Sequence, residues 1–224
     1  MLILGIDDAG RGPVIGPMAM AGCLLNDEVE KELKKLGVKD SKQLTQKRRE
    51  MLAEKIKEKA EIFEVVLIPP SEIDGESENN RIKLNEVEAI AAAKIINKVN
   101  KGFGKIKVVV DCPSVSIAKW TDYLKAKIDN LSNLEISCEH KADINHVAVS
   151  AASILAKCAR ESEMDKLKKE HGEKIGSGYS SDPLTRKFVE NHVHTHKDKG
   201  IFRKSWLTWK KASATLSQKK LGDF

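Results

Sequence analysis

Met1-Leu2-Ile3-Leu4-Gly5-Ile6-Asp7-Asp8-Ala9-Gly10-Arg11-Gly12 opens the chain with a short apolar run, two consecutive acids and a glycine-rich turn. Met1 to Ile6 reads as a buried strand, and Pro17 to Leu25 as a second strand after the turn that holds Gly10, Gly12 and Gly16. Two strands so near each other predict a hairpin. Farther on, the β-branched run Ile106 to Val110 reads as another buried strand, ended by Asp111, Cys112 and Pro113.

Between these lie helical and further strand patterns. Ser41 is placed to cap a helix reaching Ala60, with Leu44, Met51, Leu52 and Ile56 on its apolar face. Ile62 to Ile68 alternates as a strand stopped by Pro69 and Pro70, Ser71 to Arg81 reads as a loop, and Leu84 to Val99 as a helix. A helix near Ser116 to Ile128, a fifth strand at Leu134 to Cys138 and a long helix from Val147 to Lys169 follow. Gly172, Gly176 and Gly178 end that helix, and two more, Pro183 to His194 and Ser205 to Ser217, form an appendage. The order argues for an α/β fold with helices on both faces of a sheet, with residues 1–180 as the main domain and 181–224 as a C-terminal helical region.

Composition narrows the class. A chain of 224 residues can bury a substantial core, and 41% hydrophobic with 32% charged residues is a globular balance. The net charge of +6 suits a polyanionic partner without demanding one. Cys23, Cys112, Cys138 and Cys158 are widely spaced and form no zinc finger. The apolar start lacks the basic flank of a signal peptide and no run of about 18 apolar residues occurs, so a cytoplasmic protein without a membrane span is expected.

Asp7 and Asp8 follow one apolar strand and Asp111 another, so three acids can gather where neighbouring strands end. Crowded carboxylates repel one another and are most readily kept ionised by a hard divalent cation such as Mg²⁺. Two such ions can activate water and stabilise a leaving oxygen in phosphodiester cleavage. Any one of these acids alone reads better as a helix cap, turn former or strand terminator; their joint placement is what points to a cation.

The segment Gly5-Ile6-Asp7-Asp8-Ala9-Gly10-Arg11-Gly12-Pro13-Val14-Ile15-Gly16-Pro17 resembles the opening signature of type 2 ribonuclease H, ribonuclease HII. The likeness continues in order through Asp40-Ser41-Lys42, Val110-Asp111, His140-Lys141-Ala142-Asp143, Ser150-Ala151-Ala152-Ser153-Ile154, Gly176-Ser177-Gly178-Tyr179 and Ser181-Asp182-Pro183. It implies a ribonuclease H-like mixed five-stranded sheet flanked by helices, and two divalent ions, Mg²⁺ or Mn²⁺, held by Asp7, Asp8, Asp111 and Asp143. Asp143 enters only through the resemblance. Gly10, Arg11 and Gly12 are then expected to present backbone to a ribose 2′-hydroxyl, Tyr179 to pack on the sugar and Lys42 to contact phosphate.

The implied activity, for a chain expected to act as a monomer, is endonucleolytic cleavage of the RNA strand of RNA–DNA hybrids. It extends to DNA containing ribonucleotides, with cuts on the 5′ side that leave 3′-hydroxyl and 5′-phosphate ends. The family usually has Glu where this chain has Asp8, a carboxylate withdrawn by about 1.5 Å. His146-Val147 and Ser180 also depart from the pattern.

At the end of the chain Gln218, Leu221 and Phe224 resemble the box by which replication enzymes dock on a sliding clamp. His192, His194 and His196 read as the cap of a solvated helix end, and Trp206 and Trp209 as core anchors. Two rival functions remain at this level. A dinucleotide-binding loop at Gly10, Gly12 and Gly16 is disfavoured by the acids ahead of it and the strand after it. A non-catalytic nucleic-acid binder of the same fold is the other.

Overall fold

The computed structural model describes residues 1–38, 44–75 and 82–221, with side chains to 214. Five strands form one sheet in the order β3-β2-β1-β4-β5: β1 Leu2–Ala9, β2 Met18–Asn26, β3 Ile62–Ile68, β4 Ile106–Asp111 and β5 Leu134–Glu139. β1 pairs antiparallel with β2 and parallel with β4, which pairs parallel with β5. The expected hairpin and five-stranded α/β architecture are therefore present.

The helices are α1 Asp27–Lys35, α2 Gln46–Lys59, α3 Pro70–Ile73, α4 Leu84–Val99, α5 Ile117–Lys125, α6 Ala142–Asn145, α7 Val147–His171, α8 Pro183–His192 and α9 Leu207–Leu221. Residues cluster into two compact units. Met1–Ala9, Ala19–Leu67 and Lys83–Ala159 make the first; Gly10–Met18, Ile68–Ile82 and Arg160–Phe224 make the second.

In the first unit β2 is buried over almost its whole length, as a strand covered on both faces must be. One face carries Ala19, Ala21, Cys23 and Leu25, packed with Leu33 of α1, Leu52 and Ile56 of α2, and the small residues Ala148, Ala151 and Ala152 of α7. On the other face Leu4, Ile6 and Gly22 meet Ile95 of α4. The indole N–H of Trp120 in α5 donates to the carbonyl of Asn85 in α4 at 2.8 Å. Small residues let α7 come very close: a Cβ on Gly5 would overlap the backbone of Ala148 and Val149.

Several local expectations are corrected. β1 does not end at Ile6, because its antiparallel ladder with β2 continues through Asp7↔Ala21 and Asp8↔Met20 to Ala9↔Ala19. Asp111 likewise lies within β4, opposite Glu139. The helix expected from Ser41 starts at Gln46 with Thr45 as its cap, the Thr45 hydroxyl accepting from Arg48 N–H at 3.3 Å; Ser41 lies outside the described residues. Met51 is exposed rather than apolar-facing. Pro70–Ile73 forms a helical turn where a loop was expected, and α1 and α6 were not foreseen.

In the second unit Val14, Ile15, Met164, Ile175, Phe188, Val189, Ile201, Phe202 and Trp209 form a core. Its backbone is knitted by Val14 N–H to Gly178 O at 2.8 Å, Gly16 N–H to Ile201 O at 2.8 Å and Arg203 N–H to Val14 O at 2.9 Å. Trp209 anchors that core as expected, whereas Trp206 is only half-buried. His192 stacks on Phe188 with ring centroids 4.2 Å apart and meets His196 edge-on at 4.8 Å, so these rings pack on the unit instead of fringing it; His194 is exposed. No helix among the described residues is long and apolar enough to cross a membrane.

Candidate active site

The parallel register of β1 and β4, Gly5↔Val109 and Ile6↔Val110, places Asp7 beside Asp111 one step farther on. Side chains alternate along a strand, so Asp7 shares its face with Gly5, the face on which α7 lies, and Asp111 shares it with Val109. Asp8 starts from the opposite face. Asp7 is buried, whereas Asp8 and Asp111 are half-buried.

Burial pushes the Asp7 carboxyl well above the usual aspartate range, and the neighbouring carboxylates of Asp8 and Asp111 push it the same way. Opposing them are a hydrogen bond from Ser153 of α7 and one from the Asp8 amide, whose N–H donates to Asp7 Oδ1 at 2.7 Å.

Asp111 reaches the fourth acid through the backbone. Its Oδ1 accepts the Ala142 N–H at 3.0 Å, which fixes the start of α6 and with it Asp143, the next residue, itself buried. Lys141 ahead of that helix takes a left-handed conformation with φ 58°, the one positive φ outside glycine among the described residues. The Ser150 hydroxyl donates to the Asp143 carbonyl. Ser150 and Ser153 stand three residues apart on α7, and thus on one side of it, so a single helical face serves Asp7 and Asp143. In the sequence Ser150 and Ser153 carry no site signal beyond the family resemblance, although serines amid alanines at that spacing are the available mark.

Glu139, opposite Asp111 on β5, is held below the usual glutamate range by the Ser137 hydroxyl first and then by His146, whose Nε2 lies 3.0 Å from its carboxylate. Among the described residues no group of three or more His, Cys, Asp or Glu side chains stands arranged to hold a metal ion. Asp7, Asp8 and Asp111 neighbour one another near the ends of β1 and β4.

The glycine-loop residues belong to the second unit. Gly10 has φ +87°, and a Cβ there would strike the Arg160 side chain. Gly12 is exposed, and a Cβ on it would lie 3.8 Å from Cε1 of Tyr179, so the structure brings Gly12 and Tyr179 together. The Arg160 guanidinium lies 4.9 Å from the centre of the Tyr179 ring and donates to Ser177 O at 3.1 Å. Neither Arg160 nor the buried Arg203 described below was singled out from sequence. Lys42 and Phe224 lie outside the described residues, and Gln218 and Leu221 fall on the last turn of α9.

A five-stranded mixed sheet flanked by helices, with carboxylates at the ends of two parallel neighbours, places the chain in the ribonuclease H-like fold class. Residues 4–209 match the family described as Ribonuclease HII. A ribonuclease HII of Methanococcus maripaludis strain C5 is 44% identical over 221 residues, spanning 98% of this chain and 90% of that one. The ribonuclease H2 structure from Pyrococcus horikoshii superposes with a TM-score of 0.85 at 36% identity, covering 96% of this chain and 98% of that one. The structure of a PCNA:RNase HII complex from Archaeoglobus fulgidus matches with a TM-score of 0.79 at 37% identity, covering 92% and 95%. The chain belongs to the ribonuclease HII family, endoribonucleases that cut the RNA strand of RNA–DNA hybrids.

Proposed function

We propose that Asp7, Asp8, Asp111 and Asp143 hold two divalent cations, Mg²⁺ or Mn²⁺, and that the chain cuts on the 5′ side of a ribonucleotide, including a single one embedded in duplex DNA. The observation that carries the reading is the pairing of Asp7 with Asp111 on one sheet face, with the Asp7 carboxyl pushed up by burial and by its acidic neighbours. An all-oxygen, anionic donor set of this kind suits hard cations. Once bound, the cations supply an activated water and stabilise the leaving oxygen.

The chain's own part is positioning. Ser153 and the Asp8 amide hold the Asp7 carboxylate, and the Ala142 N–H holds that of Asp111. Gly10, Arg11 and Gly12 offer backbone to the 2′-hydroxyl, and exposed Tyr179, its ring backed by Arg160, offers a face to the sugar. Lys42 is assigned to a phosphate. Products carry 3′-hydroxyl and 5′-phosphate ends.

The Archaeoglobus fulgidus complex pairs a ribonuclease HII with PCNA, and by analogy Gln218, Leu221 and Phe224 dock this chain on a sliding clamp. A DNA duplex carrying one ribonucleotide, incubated with Mg²⁺ or Mn²⁺, tests the catalytic reading. A nick 5′ of the ribonucleotide is expected; binding without a nick in either metal favours a non-catalytic binder of the same fold.

A further inference from the structure

Arg203 has no exposed surface, yet it is a permanent cation. Burying such a charge is costly unless every donor finds an acceptor. Here the acceptors are backbone carbonyls of the glycine loop: Nε donates to Gly16 O at 3.0 Å, Nη1 to Arg11 O at 2.9 Å and Nη2 to Gly10 O at 2.7 Å. The guanidinium also lies 5.1 Å from the centre of the Trp206 ring, and the indole N–H of Trp206 donates to Gly12 O at 2.9 Å. Two side chains three residues apart thus fix the carbonyls of Gly10, Arg11, Gly12 and Gly16.

A trans peptide is planar, so fixing a carbonyl fixes the next amide in the opposite direction. The carbonyls of Gly12 and Gly16 precede prolines and have no such amide. Those of Gly10 and Arg11 precede Arg11 and Gly12, so Arg203 turns the Arg11 and Gly12 N–H groups away from itself. Gly12 is exposed beside Tyr179.

We propose that Arg203, assisted by Trp206, is a positioning residue that presets the amides of Arg11 and Gly12 for recognition of a ribose 2′-hydroxyl. The inference rests on the glycine-loop reading given above. Three donors at fixed angles are a requirement that guanidinium meets and a lysine ammonium does not.

The test uses the full chain in metal-free buffer with two duplexes of one sequence, all-DNA and carrying one ribonucleotide. Affinities are read by fluorescence anisotropy and folding by melting temperature. The wild type should prefer the ribonucleotide duplex. Arg203→Lys should cut that preference about tenfold, and Trp206→Phe, which keeps a smaller aromatic face but loses the indole N–H, about two- to fivefold. All-DNA affinity should change less in both.

If the wild type shows no preference, the glycine-loop reading fails and takes this inference with it. If the wild type discriminates and the folded variants discriminate equally well, only the positioning role is overturned. A uniform loss on both duplexes that follows a falling melting temperature would mark Arg203 as structural support alone. Should Arg203→Lys not fold, Trp206→Phe decides.

Discussion

Replacing Asp111 by Asn separates the cost of the acidic cluster from its use. The substitution keeps an oxygen where Oδ1 accepts the Ala142 N–H at 3.0 Å, and the backbone pairing with Glu139 involves no side chain, so the local fold should persist. What disappears is one negative charge beside buried Asp7. Neighbouring strands run about 4.8 Å apart. Two unit charges about 5 Å apart repel by roughly 3 kcal/mol at an effective dielectric near 20; solvent reaching half-buried Asp111, and the upward push on the Asp7 carboxyl that favours its neutral form, reduce this to about 1 kcal/mol. For a chain of 224 residues that corresponds to a melting temperature about 2–4 °C higher in EDTA.

On the proposed reading the same variant should lose at least about a hundredfold in cleavage rate, because the cations would stabilise the charge that develops on the phosphate. Adding Mg²⁺ or Mn²⁺ should stabilise the wild type by about 2.7 kcal/mol at a hundredfold excess over the dissociation constant, and the variant far less. Scanning fluorimetry with and without metal, beside a gel assay on a hybrid, measures all three quantities. A metal-free Asp111→Asn protein that melts below the wild type would refute the repulsion argument. Cleavage within tenfold of the wild type would remove Asp111 from the chemistry.

Asp8→Glu should extend the carboxylate by about 1.5 Å and raise Mg²⁺-supported cleavage relative to Mn²⁺-supported cleavage; an unchanged metal ratio would show that reach at this position is immaterial. Gly5→Ala should destabilise the protein by about 3 kcal/mol or more, a drop of roughly 6–12 °C, because the added methyl meets the backbone of α7 instead of a side chain that can swing aside; a fall under 2 °C would contradict the close packing. Deleting residues 218–224 should abolish clamp binding in a pull-down while leaving hydrolysis of a short hybrid intact, and retained clamp binding would relocate the docking segment.

What could be read from sequence follows from the range of the interactions involved. β3 Ile62–Ile68 and α4 Leu84–Val99 stand where expected, because prolines, glycines and side-chain periodicity bound them locally. α1 was hidden because its one buried residue is Leu33, although its start was written in Asn26, whose side chain accepts from the amides of Glu28 and Val29. The strand ends were misplaced because only the partner decides them: Asp7 and Asp8 belong to β1 since β2 is long enough to pair with them. Asp143 illustrates the same limit. Its place depends on a left-handed Lys141 and on an N–H bond to an acid far back in the chain, and neither leaves a local mark. The backbone bonds joining Val14 to Gly178 and Gly16 to Ile201 are equally invisible to any reading by neighbours.

The acidic cluster and the glycine loop are built on opposite electrostatic terms. At the acids, the hydrogen bonds to Asp7 only partly offset burial and its acidic neighbours, leaving its carboxyl pushed up and thus responsive to an added cation. The glycine loop is instead governed by a buried cation whose donors reach neutral carbonyls, so its charge is compensated within the protein. A cation-binding cluster gains by being unfinished, since binding energy comes from completing it. A loop that must tell one hydroxyl from a hydrogen gains by being finished beforehand, because any slack in the amides is an ordering cost charged against discrimination. Stiffening the acids should therefore raise metal-free stability at the expense of metal response, whereas loosening the loop should blur ribose selection and leave the metal response in place.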